Sequence, residues 1–381
     1  SVLLSYYGIS RPQLTIAGVL KPIGGADKNV SPSEIAGYVR GLGLGAFVGV
    51  NATTDQLERM LSAGFPFLAE QWMEYDGGVG HYRIVRGFDR AKQQILYNDT
   101  FLGPDRWTSY AQFFSDWSAY NNTYIVFYPL EREAELRAAI GADWNAATMW
   151  ERLRAESQAR IANGNANGYV WYGLGEALHQ QGRDAEAVEA YEQAIAAWLP
   201  WRYLWYRYGY FEALNNVGAF EKTLEVTAPV LQSMVRSEDI HYHRGVALRG
   251  LGSTNPAIAE FRAALGDNPN FVPAQVALRQ MGVDATAPPP PGPTTAAQPT
   301  APPSSPPPSA PEPTSPPEPT AVPVEPTAAP PEPTAVPVEP TAIPPEPTVP
   351  PPPEPTAPPP EPTSPPAEPP PPQPTPGDRG G

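Results

Sequence analysis

Cysteine is absent from all 381 residues. That excludes a disulfide framework, a zinc–thiolate site and a thiol nucleophile within these residues. Histidine is scarce: His81, His179, His241 and His243. The last two stand two apart and so do not share a helix face; no metal cluster and no other cofactor is expected. Basic residues are few, 25 Lys and Arg against 40 Asp and Glu, for a net charge of −15. Nine Glu and Asp378 against Arg379 place −9 of that charge beyond Ala285 and leave −6 for the rest. A mildly acidic body carries no electrostatic footprint for nucleic acid or an anionic membrane. No run approaches the ~20 apolar residues of a membrane span. The chain opens inside an apolar stretch, Ser1-Val-Leu-Leu-Ser-Tyr-Tyr-Gly8, with no Met, basic n-region or apolar h-region. This reads as the second half of a helix, so an N-terminal truncation is expected.

Proline is unevenly spread: 11 of 54 fall before Ala285. Beyond it a Glu-Pro-Thr theme recurs at Glu325, Glu332, Glu339 and Glu346. Proline fixes φ and lacks an amide donor, so neither helix nor sheet propagates. With few apolar side chains to offset ordering entropy, residues 285–381 are expected to be a disordered, polyproline-II-like spacer, ~3.1 Å per residue where extended. Stalks of this composition suit cell-surface proteins, the only hint of an extracytoplasmic location.

Residues 167–284 repeat with a period near 35, the range of helix-pair arrays. Gly175, Gly182, Ala187 and Tyr191 recur 70 residues later as Gly245, Gly252, Ala257 and Phe261. A degenerate unit between them carries Ala213, Leu214 and Gly218, with Thr223 and Thr227 at its small and aromatic positions. Gly175 and Ala187 are expected where paired helices cross closely, with Tyr191 and Phe261 filling the space between. Gly182 and Gly252 end first helices in a left-handed turn. Phe271–Met281 reads as a capping helix. The segment Trp198-Leu-Pro-Trp201-Arg-Tyr203-Leu-Trp205-Tyr-Arg-Tyr208 is dense in aromatics. It is read either as packing between repeats or against the N-terminal domain, or as a partner-binding surface of Trp198, Trp201, Tyr203, Trp205 and Tyr208.

The N-terminal region, 1–130, mixes helix and strand signals. Ser31-Pro-Ser-Glu34 is a capping box that opens a helix at about Pro32–Leu42. Phe47–Val50 reads as a strand, Thr53 or Thr54 caps a helix ending at Ala63-Gly64, and Pro66–Gln71 reads as a buried strand. His81–Phe88, Gln94–Asp99 and Tyr124–Tyr128 read as strands, with Tyr110–Trp117 a short helix between the last two. Helices followed by an antiparallel sheet predict an α+β domain. A connecting helix is expected over 131–166, at about Glu131–Ile161. Gly41-Leu-Gly-Leu-Gly45 precedes a strand instead of opening a helix, which rejects a dinucleotide fingerprint. Glu74 and Asp76 form no convincing carboxylate pair.

Gly80-His81-Tyr82 opens one strand and Asn98-Asp99 closes the next. Antiparallel pairing sets the start of one beside the end of the other, so His81 should neighbour Asn98 or Asp99. Alternation puts those two on opposite faces, so only one can orient the imidazole. Asp99 is preferred, because a carboxylate both fixes the tautomer and stabilises imidazolium; Asn98 is the alternative.

Two resemblances follow. Residues 167–284 resemble tetratricopeptide repeats, strongly in the first and third units, which implies a concave face that binds a protein or peptide. Residues 1–130 resemble the papain-like cysteine peptidase domain of the bacteriocin-processing, double-glycine leader peptidase type. The shared pattern is Gly80-His81-Tyr82 followed by Asn98-Asp99, and Leu57–Gly64 followed by Pro66. The resemblance implies His81 as general base and later acid, with Asp99 as its orienter. It also implies a cysteine at the start of the first helix, upstream of Ser1, with Ser1–Gly8 as that helix's tail. The chain is then expected to belong to a peptidase active only with an upstream Cys, and to hydrolyse nothing by itself. The alternative is a non-catalytic scaffold that uses the repeats and an inert peptidase-like domain.

Overall fold

In the computed structural model, which describes residues 1–22, 29–73, 79–200, 202–233 and 236–285, three helices precede the first strand. They are α1 (Val2–Tyr6), α2 (Gln13–Leu20) and α3 (Pro32–Arg40). The Ser31 hydroxyl accepts the Glu34 amide and Glu34 accepts the Ser31 amide, so α3 begins where the capping box predicts. There follow β1 (Gly45–Gly49), α4 (Thr54–Ser62), β2 (Phe67–Trp72), β3 (Gly80–Asp89), β4 (Gln94–Asp99), β5 (Gly103–Ser109), α5 (Tyr110–Ser118) and β6 (Tyr124–Tyr128). Thr53 caps α4 through a second reciprocal box with Gln56. The strands form one antiparallel sheet in the order β1-β6-β2-β3-β4-β5.

Alternation along the strands assigns the two faces. Ala46, Leu68, Tyr82, Ile84, Ile125 and Phe127 turn to one side, under α1 and α3, where Leu3, Leu4, Ala36 and Val39 meet them. Phe67, Ala69, Val85, Ile95 and Val126 turn to the other, packing on Leu57 and Met60 of α4 and Phe113 and Trp117 of α5. Full burial of such side chains stabilises by about 1.5–3 kcal/mol each. This is the α+β layering predicted for the N-terminal region.

Two elements carry no clear sequence signal. The strand β5 contains Pro104 and Asp105, poor strand formers; it is the sheet's edge, where a missing amide donor is tolerated. In α2 no residue is buried, so no core face marks it. The single connecting helix is also corrected. At Gly141, with φ +75°, it breaks into α6 (Glu133–Ile140) and α7 (Ala146–Ala162), the latter capped by Asn145.

The helical array comprises α8 (Gly168–Gln180) with α9 (Asp184–Ala196), α10 (Gly209–Asn216) with α11 (Phe220–Ser233), α12 (Glu238–Gly250) with α13 (Thr254–Asp267), and α14 (Val272–Gln280). A Cβ at Gly175 would lie 2.6 Å from the Tyr191 ring, and one at Gly245 would lie 2.6 Å from the Phe261 ring. The same close crossing therefore closes the first and third pairs. In the middle pair, hydroxyl bonds take over. Thr223 Oγ1 donates to Asn215 Oδ1 at 3.0 Å, and Thr227 Oγ1 donates to the Thr223 carbonyl at 2.6 Å; both threonines are fully buried. All described residues belong to one compact unit. The expected disordered tail from 286 onward, Trp201, and the Glu74 and Asp76 pair lie outside the described residues.

Candidate functional site

The ladder between β3 and β4 pairs Ile84 with Asn98. One step further along, Arg83 faces Asp99, and Arg83 Nε donates to Asp99 Oδ2 at 2.9 Å. Two residues before Arg83, on the same face, His81 brings its Nε2 to 3.2 Å from Asp99 Oδ1. Asn98 turns to the opposite face, where its Oδ1 accepts from Arg86 Nε at 3.0 Å and the Asp105 amide at 3.1 Å. The structure thus joins His81 to Asp99 and separates it from Asn98.

Asp99 is firmly held. Its side chain is fully buried. Its Oδ1 accepts the amides of Phe101 at 2.7 Å and Leu102 at 3.1 Å. Burial acts to raise its pKa, but the Arg83 bond, the two amides and neighbouring His81 outweigh it and hold the carboxyl at about 2. Burial likewise pushes the His81 imidazole below its ordinary value, against the pull of Asp99. That shift favours the neutral ring, the state in which it accepts a proton. Nε2 lies close to the carboxylate without an aligned hydrogen bond. The ring lies 5.4 Å from that of Phe101, a side chain left largely exposed.

Two members of this cluster escaped the sequence reading. Arg83 also donates to Gln71 Oε1 at 2.7 Å and to the Met73 carbonyl at 2.9 Å. Gln71 stands directly across β2 from His81. The signal available was alternation, since Arg83 lies two residues from His81 in a strand and must share its face.

The helix α1 packs on the other face. Its C-terminal end is tied down where Tyr6 donates to the Gly64 carbonyl, just ahead of β2. Its N-terminal end, Ser1, lines one cavity with Tyr82 and Ile84 of β3.

The aromatic segment 198–208 is mostly consumed in packing. Tyr203 is fully buried and donates to the Ala119 carbonyl at 2.8 Å. Trp205 is buried and donates to Ser233 Oγ at 3.0 Å. The half-buried Tyr208 donates to the Trp205 carbonyl at 2.7 Å. Trp198, with φ +65°, is exposed. Among the described residues no group of three or more His, Asp or Glu side chains is arranged to hold a metal ion, and no helix is long and apolar enough to cross a membrane.

The N-terminal domain is an antiparallel sheet flanked by helices, with an imidazole beside a carboxylate at a strand start, and an array of paired helices follows it. Residues 1–125 match the Peptidase_C39 like family, and residues 168–197 match a Tetratricopeptide repeat. The chain is thus a peptidase-like domain followed by tetratricopeptide repeats. No curated protein and no solved structure matches it.

Proposed function

We propose that the N-terminal domain carries the base half of a thiol peptidase site. In this reading His81 takes the proton of an attacking thiol and later returns it to the departing amine. Asp99, carrying charge throughout, holds the ring and stabilises imidazolium. The nucleophile is not among the 381 residues, which contain no cysteine. The observation that carries the reading is the 3.2 Å approach of His81 to a buried Asp99 within a domain that matches the family. The test is the protein made together with its natural upstream coding sequence and offered a peptide library. Turnover that requires an upstream Cys and is lost on His81→Ala is the expected result. Turnover unaffected by His81→Ala overturns the reading, as does turnover by the 381 residues alone.

The array's part is to bind a protein or peptide. Two adjoining grooves, of about 280 Å³ and about 360 Å³, share Ser31, Ser33 and Glu212 and run between the start of α3 and the helices α8 to α14. The acidic balance of residues 1–285, net −6, argues against nucleic acid as the occupant.

A further inference from the structure

Gly80, the residue before His81, has no room for a side chain. A Cβ there would lie 2.6 Å from the Tyr120 hydroxyl and 3.2 Å from Cε1 of Tyr206. Tyr206 belongs to the array, on the segment that enters α10. Across the ladder from Gly80 stands Trp72, fully buried. Its Nε1 donates to the Tyr169 hydroxyl of α8 at 2.8 Å, and its ring meets that of Tyr206 edge-on at 6.0 Å. Two residues earlier, Glu70 accepts from Arg207 Nη2 at 2.8 Å, with the two side chains 3% and 11% exposed. Strand β2 therefore gives Glu70 and Trp72 to the array while Gln71, between them, faces the side of His81 and Arg83. The end of the β2–β3 pair that presents the imidazole is pressed against the repeats.

We propose that the repeat array is a structural part of the His81 site, with Tyr206 as the positioning residue that fixes β3 where the imidazole begins. This deepens the peptidase reading and rests on it for the imidazole's role. The array acts through position and not through charge. The charged groups that act on His81 are Asp99 of β4 and Arg83 of β3, with Asp116 of α5 behind Arg83 at 3.8 Å.

The test uses the full chain with isotope-labelled histidine, whose four resonances are assigned by replacing each histidine in turn. Tyr206→Ala removes the ring that backs Gly80 on the face opposite the imidazole and lets the start of β3 shift, which loosens the packing around His81. Because burial is what lowers the His81 midpoint, that midpoint is expected to rise by about 0.5 pH unit or more, within the usual spread of histidine values. Tyr206→Phe keeps the ring and should leave the midpoint where it is. Phe261→Ala, which hollows the third repeat far from the strand, is the control for general loosening and should also leave it. The proposal is overturned if Tyr206→Ala leaves the midpoint unmoved in a folded protein, or if Phe261→Ala moves it as much. Should Tyr206→Ala fail to fold, Tyr206→Leu takes its place with the same two outcomes. No turnover enters this measurement, so a failed peptidase assay and a failed positioning test are told apart.

Discussion

Replacing Asp99 by Asn tests the chemistry at its most constrained point. The folded carboxyl titrates at about 2 against an ordinary 3.8. That difference makes the charge worth about 2.5 kcal/mol at pH 7. Arg83, whose side chain is 6% exposed, would then keep only the Gln71 and Met73 oxygens. Losing one partner of a buried pair costs about 3–5 kcal/mol, but Asn still offers an oxygen to the amides of Phe101 and Leu102, which puts the loss near 2–3 kcal/mol. The sign against pH follows from the direction of the shift. A carboxyl with a depressed folded value stabilises above its unfolded value of 3.8 and loses that contribution as pH falls through about 2. The gap between wild type and Asp99→Asn in urea unfolding, followed by tryptophan fluorescence, should be full at pH 6–7, shrink below about 4 and nearly close by about 2. The same substitution should push the His81 titration further down, since the group that raises it is gone. A gap that is absent at pH 7, or equally wide at pH 3 and pH 7, refutes the electrostatic account of the pair.

Asn98→Ala should leave the His81 titration in place and cost within about 1 kcal/mol, because it removes only bonds to Arg86 and Asp105 on the other face; a shifted His81 resonance would contradict this. His179 bridges Asp184 at 2.5 Å and Glu212 at 2.9 Å, and its midpoint is raised to about 9, first by the Glu212 bond. Its contribution is complete below 6.5 and lost as pH rises toward 9, about 3 kcal/mol in full and nearer 1–2 once the half-exposed Glu212 is screened. His179→Gln should therefore flatten thermal stability between those two pH values. Gly245→Ala drives a methyl toward the Phe261 ring at 2.6 Å and should cost about 1–3 kcal/mol. Phe261→Leu in that background should recover part of the loss in thermal unfolding.

Much of the domain was written in local chemistry. Ser31 and Glu34, then Thr53 and Gln56, cap their helices through backbone amides three residues away, so nothing distant is needed to place α3 and α4. Strands β4 and β6 have the bounds read from their sequences, built around Ile95–Tyr97 and the run Tyr124–Tyr128. The pairing of His81 with Asp99 was legible for the same reason, since strand alternation and a short hairpin leave few registers. What holds that pair was not. Arg83 is satisfied by Gln71, from an earlier strand, and by Asp99, from a later one. An arginine in a strand ordinarily points to water, and only the assembled sheet supplies the oxygens that let this one be buried. The break at Gly141 was equally invisible, because a glycine inside a helical pattern costs only about 1 kcal/mol and need not end it.

The aromatic segment 198–208 shows where composition stops being decisive. Trp, Tyr and Arg are favoured at protein interfaces, but the same amphipathic rings suit any boundary that is part apolar and part polar. The boundary here is internal. Tyr203 and Trp205 bury their rings while their polar atoms find Ala119 and Ser233, and Arg207 meets Glu70 across it. Removing one member of such a buried pair is far costlier than replacing both by apolar groups. The Glu70–Arg207 contact is therefore better understood as a constraint on which strand residue meets which repeat than as a source of stability. Burial raises the Glu70 carboxyl to about 7 against the pull of Arg207, so the contact carries an electrostatic cost. A purely apolar contact between sheet and array would tolerate sliding. One that must keep Glu70 opposite Arg207 does not, and the strand so fixed is the neighbour of the one that carries His81 near its start.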